Sequence, residues 1–442
     1  MMYESSYTKG LSGTVLIPGD KSISHRAVMF SALAEGRSKI EGLLEGDDVL
    51  ATASIMEALG ADIEKKDGIY FVDGVGFRGV EKPLELLDCG NSGTSMRLLS
   101  GLLAGQQIEA TLIGDVSLSN RPMKRVLTPL SQMGASVDAK DDIYPPLVIR
   151  PATLKPITYR LPVASAQVKS CILLAGLCCD GMTTVIETEK SRDHTEKMLN
   201  AFGAHVIVEE KQDETHISVQ GRPVLRATDI RVPADPSSAA FFIVAALITE
   251  GSELFLPNIM LNETRTGLIT TLLEMGADIQ ITNEREENAE KVGDITVRSS
   301  DLQGIEVPAS RAVSMIDEYP ILSIAAACAR GQTVMHGIKE LRVKETDRIA
   351  AMEAGLKSCG VSVVSTDDSM TVSGADTIEP TSFIQTHHDH RIAMSFLTLG
   401  LVSTQDIVID DISMIKTSFP NFLDLMEMCG ANMKPFVKRG VA

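Results

Sequence analysis

One short phrase recurs six times along the chain and constrains its fold more than any other feature. In each copy a helical, partly apolar stretch ends at a Gly, a small or β-branched residue follows, and a strand-like run begins. Gly just after the last helical residue is typical of a helix that ends in the left-handed conformation. The copies are about 74 residues apart, so six units would nearly fill the 442 residues; their glycines are Gly60, Gly134, Gly203, Gly276, Gly360 and Gly430.

Every unit also contains a second helical stretch that is apolar on nearly all sides and rich in Ala. A helix of this kind is expected to be buried. Short β-branched runs bounded by turn residues, such as Gly293–Arg298 and Ile407–Ile409, predict strands between the helices. Each unit is therefore predicted to be an α/β module with two helices and about four strands; the apolar helices are predicted at residues 25–36, 95–105, 166–181, 238–251, 319–331 and 390–401.

The charge balance excludes several functional classes. With 41 Lys and Arg against 59 Asp and Glu, the net charge is −18, which argues against non-specific binding of nucleic acid or of an anionic membrane. No apolar run reaches the roughly 18 residues that a membrane span needs. The 7 cysteines show no CxxC pair, and the N-terminus has no signal-peptide pattern. The sequence thus predicts a cytoplasmic protein that binds neither nucleic acid nor membrane, although a small basic pocket inside an acidic body remains compatible.

Cations stand at the starts of the predicted apolar helices. Lys21, Arg26, Arg97 and Arg391 all lie near such starts, where the helix dipole disfavours positive charge. The Ser, Thr, Asp and Asn residues beside them could act as N-caps alone. A bound anion would resolve the conflict, because free N–H groups at helix N-termini bind anions. If the repeated modules direct these helix ends to one place, the sequence predicts a pocket for a polyanionic ligand.

Further charged residues precede other helices. Three segments, 119–125, 191–195 and 341–348, are cationic and could be solvated surfaces if taken singly. Possible acids and bases lie among the cations, which suits proton transfer beside bound phosphate. For Asp317 taken alone, an N-cap is the better interpretation. The candidate acids and bases are Lys21, Asp317, Glu345, Asp389 and His390.

Metal and nucleotide motifs are not supported. His387-His-Asp-His390 lacks the spacing of HExxH and has no nearby Cys, so we predict no metal site there. The chain contains no GxGxxG after a strand, no GxxxxGK[ST] and no G-x-S-x-G.

Several strings resemble one family of enzymes over essentially the whole chain and in the same order. The resemblance is to the 5-enolpyruvylshikimate-3-phosphate (EPSP) synthases, which are enolpyruvyl transferases. The strings Asp20–Arg26 and Arg342–Arg348 are the most specific. The matching strings are Gly19-Asp-Lys-Ser-Ile-Ser-His-Arg26, Gly90-Asn-Ser-Gly-Thr-Ser-Met-Arg97, Asn120-Arg-Pro-Met123, Leu341-Arg-Val-Lys-Glu-Thr-Asp-Arg348 and Asp389-His-Arg391.

The resemblance implies an α/β fold of the enolpyruvyl transferase type, a two-domain inside-out α/β barrel. Each domain would contain three of six repeated βαβαββ-like units, with helix N-termini facing a cleft between the domains that holds the active site. The chain would cross twice, at hinges near Asp20 and Asp235. One domain would comprise residues 1–20 plus 236–442, and the other residues 21–235.

The family transfers the enolpyruvyl group of phosphoenolpyruvate (PEP) to the 5-hydroxyl of shikimate 3-phosphate by addition and elimination. The resemblance therefore implies these two small anionic substrates, no metal, no cofactor and a monomer. The step belongs to the shikimate pathway, which supplies chorismate for aromatic amino acids. Position 93 is Gly, whereas some glyphosate-tolerant members carry Ala there, so the response to this herbicide stays open.

The resemblance also assigns roles to single residues. For shikimate 3-phosphate it implies contacts from Lys21, Ser22, Arg26, Ser165, Gln167, Arg192, Asp317 and Lys344. For PEP it implies Lys21, Asn91, Gly93, Thr94, Arg121, Gln167, Arg348 and Arg391. Asp317 would take the proton of the 5-hydroxyl, and Glu345 or Lys21 would protonate the methylene of PEP.

Two positions depart from the common family pattern. Ala166 stands in Ser165-Ala-Gln167 where many members have a second Ser, so one hydroxyl contact to phosphate is absent. Lys416 lies one residue earlier than the lysine of the usual Lys-Thr-Phe-Pro, which leaves its role in PEP binding open.

Two alternatives remain at this stage. The sister enzyme that acts on UDP-N-acetylglucosamine shares the fold, but it typically has a reactive Cys at the position of Val116. A non-enzymatic six-unit ring clamp would spread its Lys and Arg along helix faces that touch DNA, whereas here they gather at helix starts beside carboxylates.

Overall fold

The chain forms two compact units in the computed structural model, which describes residues 1–437. One unit is the continuous stretch Gly19–Val232. The other combines Met1–Pro18 with the chain from Pro233 onward. Of the helices in the described part of the chain, none has the length and hydropathy that crossing a bilayer requires.

The unit Gly19–Val232 contains three four-stranded sheets, each with its helices. Strands and helices are labelled in chain order over the whole protein. Its helices are α1 (Lys21–Leu33), α2 (Asp47–Ala58), α3 (Gly93–Ala104), α4 (Val116–Ser119), α5 (Lys124–Met133), α6 (Ala166–Gly176) and α7 (His194–Ala201). Its strands are β3 (Glu35–Glu41), β4 (Asp62–Lys66), β5 (Ile69–Val75), β6 (Leu87–Asp88), β7 (Ala110–Ile113), β8 (Ser136–Lys140), β9 (Tyr144–Arg150), β10 (Thr158–Arg160), β11 (Met182–Glu187), β12 (Val206–Lys211), β13 (Glu214–Gln220) and β14 (Ile230–Arg231).

The second unit contains two four-stranded sheets and one three-stranded sheet. Its helices are α8 (Pro236–Ile248), α9 (Gly267–Glu274), α10 (Ala312–Met315), α11 (Tyr319–Ala327), α12 (Arg348–Ser358), α13 (His390–Leu399) and α14 (Phe422–Met428). Its strands are β1 (Tyr3–Ser6), β2 (Ser12–Thr14), β15 (Glu253–Met260), β16 (Asp278–Glu287), β17 (Glu290–Arg298), β18 (Glu306–Val307), β19 (Gln332–His336), β20 (Ser362–Ser365), β21 (Ser369–Ser373), β22 (Ile407–Ile409) and β23 (Asn432–Pro435). Short 3₁₀ turns lie at Ala309–Arg311, Lys339–Val343, Gly400–Val402 and Ser413–Thr417.

The five four-stranded sheets share one topology. In the sheet β18-β19-β21-β20, the first two strands are parallel and are joined through α11. The strand β21 lies between β19 and β20 and pairs antiparallel with both. A parallel pair needs a helical crossover, whereas an antiparallel pair closes through a short turn. The result is a βαβαββ unit, repeated three times in each compact unit.

Three of the repeats are completed by strands from distant parts of the chain. The strand β14 takes the first position beside β3, and β2 takes it beside β15. In the last repeat β1 pairs antiparallel with both β22 and β23, and a parallel bridge joins Ile384 to Ile409. The path of the chain between its two units therefore leaves the repeat pattern intact.

The recurring glycines lie where the repeat pattern predicts them. All six follow the second helix of a repeat and have φ between +79° and +107°. This left-handed region is costly for residues with a Cβ, so Gly is favoured there. The predicted role of these residues as helix terminators is thus confirmed.

The apolar helices form the interior of each unit. In the second unit α8, α11 and α13 pack against one another, and α8 is buried continuously from Pro236 to Leu247. In the unit Gly19–Val232, α3 packs against both α1 and α6. In each unit the helices lie inside and the sheets outside. The N-termini of the helices are therefore the places where polar side chains can gather.

Candidate active site

The start of α1 carries the first group of predicted site residues. Asp20 caps the helix, and its Oδ1 accepts a hydrogen bond from the Ile23 amide at 2.8 Å. Lys21 follows at once, with its Nζ 2.5 Å from Oδ2 of the buried Asp48. The carboxylate offsets the unfavourable position of this ammonium at a helix N-terminus.

Arg26 lies one turn further along α1 and is only 3% exposed. Its Nε donates to Thr195 Oγ1 at 2.7 Å, and its Nη2 donates to Ser170 Oγ at 2.8 Å. Its Nη1 donates to the carbonyl of Ser22 at 2.9 Å. The guanidinium is therefore fixed in direction by hydroxyls from α6 and α7, which sequence reasoning did not single out.

The loop before α3 brings together residues that the resemblance assigns to PEP. Arg121 donates to Asn91 Oδ1 at 2.7 Å, and Asn91 donates in turn to Asp115 Oδ2 at 2.7 Å. A Cβ added to Gly93 would lie 2.9 Å from Nη1 of Arg97 and 3.4 Å from Nη1 of Arg121. Gly93 therefore lets two guanidinium groups approach the backbone at the helix start.

Gln167 joins this loop to the start of α6. It accepts a hydrogen bond from Arg97 Nη1 at 2.7 Å and donates to Thr94 Oγ1 at 3.0 Å. Ser165 caps α6 through the Val168 amide. Arg97 is thus a second arginine at this place. The sequence indicated Arg97 as a cation close to a helix start, although the resemblance gave this residue no role.

Arg192 lies between β11 and α7, where it is half-buried. Its segment is short and follows the exposed residues 188–190. The residues that hold this segment in place lie in the core.

The second unit contains a separate cluster centred on Arg348. This residue is 1% exposed, and its Nε donates to Asp389 Oδ2 at 2.8 Å. Its Nη2 donates to Glu345 at 2.5 Å, and its Nη1 lies 3.5 Å from Asp317 Oδ1. Burial alone would lower the pKa of Arg348, but Asp389, Glu345 and Asp317 outweigh burial and raise it. The guanidinium is a permanent charge that orders three carboxylates.

Asp317 lies between two cations of this cluster. Its Oδ1 accepts from Lys344 Nζ at 3.0 Å and lies 3.5 Å from Arg348. The backbone carbonyl of Asp317 accepts from Arg391 Nη1 at 2.9 Å. Asp317 lies two residues before α11, whose N-cap residue is Glu318. An oriented carboxylate beside two fixed cations is a suitable proton acceptor for chemistry on anions.

Glu318 is a member of this cluster that sequence reasoning missed. It is 2% exposed, and its Oε1 lies 3.5 Å from Arg391 Nη1 and also accepts from Ser237. Arg265 reaches the same hydroxyl at 2.9 Å and Asp235 Oδ1 at 2.9 Å. The position of Glu318 beside Asp317 was the available signal, but an acidic pair gives no information on partners 73 or 81 residues away.

The remaining candidates differ in their exposure. Lys416 is exposed on a 3₁₀ turn. His388 is exposed and His390 is buried. Two histidines of the string His387–His390, which is predicted not to bind metal, therefore lie at different depths.

A family model for EPSP synthase (3-phosphoshikimate 1-carboxyvinyltransferase) matches residues 6–426. The chain belongs to the EPSP synthase family. The 3-phosphoshikimate 1-carboxyvinyltransferase of Parvibaculum lavamentivorans is 56% identical over 426 residues, which are 96% of this chain and 94% of that protein. The EPSP synthase structure from Acinetobacter baumannii has a TM-score of 0.87 and 45% identity, and the match covers 98% of this chain and 99% of that one.

A more distant structure supports the fold alone. The enolpyruvyl transferase NikO from Streptomyces tendae has a TM-score of 0.76 at 19% identity, covering 98% of each chain. Together with the A. baumannii EPSP synthase, it confirms the predicted enolpyruvyl transferase fold, with six repeats in two domains. The family membership also removes the ring-clamp alternative.

His25 carries a prediction about pH in this EPSP synthase-family chain. It is fully buried, with Nδ1 2.8 Å from Thr52 Oγ1. Burial, and then Lys21 and Arg26, lower the pKa of His25 well below its ordinary value of about 6.5. The native state therefore keeps His25 neutral, while the unfolded chain takes up a proton below about pH 6.5.

Replacing His25 by Asn is expected to weaken the loss of stability on acidification. The contribution of the native neutral His25 is fully present above about pH 6.5 and declines below it by up to about 1.4 kcal/mol per pH unit. Urea unfolding at pH 7.0 and 5.5 measures the difference, and the exposed His205→Asn is the matched control. An unchanged pH dependence in His25→Asn would contradict the assignment.

Proposed function

We propose that this protein transfers the enolpyruvyl group of PEP to the 5-hydroxyl of shikimate 3-phosphate, a step of the shikimate pathway. The observation that carries the proposal is the relation to a 3-phosphoshikimate 1-carboxyvinyltransferase at 56% identity over 96% of the chain. The Lys and Arg side chains gathered at the helix starts support it, because both substrates carry phosphate and carboxylate. The protein is accordingly a transferase.

In the proposed reaction the 5-hydroxyl oxygen bonds to C2 of PEP. Its proton goes to Asp317, and an acid, Glu345 or Lys21, gives a proton to the methylene carbon. The intermediate then loses phosphate from C2 and a proton from the new methyl group, which restores the double bond. The protein's own side chains supply each proton transfer, so the proposal includes no metal and no cofactor.

The proposed binding roles follow the resemblance to the family. For shikimate 3-phosphate we assign Lys21, Ser22, Arg26, Ser165, Gln167, Arg192, Asp317 and Lys344. For PEP we assign Lys21, Asn91, Gly93, Thr94, Arg121, Gln167, Arg348 and Arg391. Fixed cations stabilise developing charge without reorganising during the reaction.

The decisive assay uses the purified protein with shikimate 3-phosphate and PEP in the presence of a chelator. Phosphate release that requires both substrates is expected. Release with UDP-N-acetylglucosamine and PEP, but not with shikimate 3-phosphate and PEP, would instead establish the sister activity. Val116 at the position of the sister enzyme's reactive Cys favours the shikimate substrate.

Replacing Arg121 by Ala is expected to affect PEP much more than shikimate 3-phosphate. Arg121 is 9% exposed and is aimed by Asn91 and Ser117, at 2.7 and 3.1 Å. Hydrogen bonds to charged groups contribute about 1.5–3 kcal/mol, so the KM for PEP is expected to rise about 10- to 100-fold. Steady-state kinetics with each substrate varied in turn measure this.

The control for Arg121 is Arg150→Ala, which removes an exposed arginine paired with Asp138 on a sheet. Neither KM is expected to change in the control. An equal rise in both KM values for Arg121→Ala would contradict the assignment to PEP.

We further propose that the protein acts as a monomer in the cytoplasm. The family resemblance supports the monomer, and the reduced, unpaired cysteines support the compartment. The molar mass in solution tests the first proposal.

A further inference from the structure

A lysine is buried in the core of the unit Gly19–Val232, behind the start of α6. Lys169 is 1% exposed, although lysine is almost never fully buried unless it is paired. Its Nζ lies 2.6 Å from Glu196 Oε1 and 3.1 Å from Glu187 Oε1. It also donates to the carbonyl of Ser191 at 3.3 Å. One ammonium thus joins three positions that are distant from it in sequence.

The two carboxylates are as buried as the lysine. Glu187 is 3% exposed and also accepts from the Ser191 hydroxyl, at 2.8 Å, and from the Ser191 amide. Burial raises the pKa of Glu187, while Lys169 and the hydroxyl of Ser191 partly offset that rise. For Lys169 itself, burial acts to lower the pKa, but the two carboxylates outweigh burial and raise it. The ammonium therefore stays charged.

The contribution of this network to the stability of the fold does not by itself explain its presence. Buried ion triads can often be replaced by apolar side chains of similar volume without loss of stability. Here two carboxylates share one lysine, and Glu196 Oε2 is buried without a hydrogen-bond partner among residues 1–437. What the network does provide is a defined geometry for the segments that it joins.

Those segments are the ones that carry the residues assigned to shikimate 3-phosphate. Glu187 ends β11, Ser191 lies in the connection, and Glu196 lies in the first turn of α7. Lys169 therefore holds both ends of the segment that contains Arg192. Two neighbours of the network, Ser170 beside Lys169 and Thr195 beside Glu196, share a hydrogen bond of 2.7 Å. Both hydroxyls also accept hydrogen bonds from Arg26.

We propose that Lys169 is a positioning residue for shikimate 3-phosphate, because its contacts with Glu187, Ser191 and Glu196 fix Arg192 and Arg26 before the substrate arrives. This inference rests on the proposed function and deepens it. Ordering a loop in advance removes an entropic cost that would otherwise oppose binding. The same ordering is not needed for Arg121, which is aimed by the separate contacts of Asn91.

The test compares two variants with the wild type. Lys169→Met leaves two uncompensated carboxylates and could fail to fold, so a second variant combines it with Glu187→Leu and Glu196→Leu. The triple variant replaces the network by apolar side chains and is expected to remain folded. The matched control is Lys190→Met, in the same segment, where the lysine is 59% exposed at its side chain and pairs with Glu210.

In the folded variants we expect the KM and the dissociation constant for shikimate 3-phosphate to rise about tenfold or more, while the KM for PEP changes by less than about twofold. Lys190→Met is expected to match the wild type. A KM for shikimate 3-phosphate within about twofold of the wild type in the triple variant, or equal rises for both substrates, would overturn the inference. A wild type that does not turn over this substrate pair would instead overturn the proposed function.

Discussion

Replacing Asp317 by Asn is expected to reduce kcat by about 100- to 10,000-fold, the range that a positioned general base contributes. The amide has nearly the same shape as the carboxylate, and its oxygen can still accept from Lys344, which lies 3.0 Å from Oδ1 in the native protein. It cannot take up the proton of the 5-hydroxyl. Turnover should therefore be lost while both substrates still bind, which stopped-flow kinetics and titration calorimetry measure separately.

The control for Asp317 is Asp301→Asn, which removes an exposed carboxylate paired with Arg330. It should leave kcat unchanged. If Asp317→Asn kept wild-type kcat, another group would have to take the proton. If it instead lost binding of shikimate 3-phosphate with kcat unchanged, Asp317 would serve in binding alone.

Replacing Arg348 by Met is expected to abolish turnover and to destabilise the protein. The guanidinium is 1% exposed, and its partner Asp389 is fully buried. Removing one member of a buried ion pair leaves an uncompensated charge, which costs about 3–5 kcal/mol. At about 2–4 °C per kcal/mol, the thermal unfolding midpoint should fall by roughly 6–20 °C.

Two further variants make this result specific. Arg298→Met removes an exposed arginine that pairs with Glu253, and a pair of this kind contributes at most about 1 kcal/mol. Arg348→Lys keeps the charge but cannot reproduce the fork of hydrogen bonds, so we expect partial recovery of stability without full recovery of activity. Equal midpoints for Arg348→Met and Arg298→Met would show that the buried cluster does not stabilise the fold.

The repeat fold could be predicted because residues close together in the sequence mark where the helices of each repeat begin and end. A glycine such as Gly60 follows its helix directly, and the apolar character of helices such as α8 lies in contiguous residues. The strand completions were less accessible to such reasoning. Nothing in the short run Ser12–Thr14 indicates that it pairs with β15, because pairing depends on residues about 240 positions away.

The same distinction explains the candidate site. The cations at helix starts could be recognised because they conflict with the local helix dipole, and the resemblance supplied their roles. The partners that aim them come from elsewhere: Thr195 holds Arg26 across 169 positions. Lys169 was the least visible of all, since one lysine in an apolar helical stretch does not reveal the two acids that surround it.

The placement of β1 has a consequence for how the protein is made. Its two partners, β22 and β23, lie about 400 positions after it in the chain, and the whole of Gly19–Val232 is synthesised in between. β1 therefore remains without its partners while these intervening residues are made. It is only four residues long, and it carries Glu4 and three Ser or Tyr side chains. A strand this short and polar presents little unpaired edge on which another chain could aggregate before β22 and β23 are made.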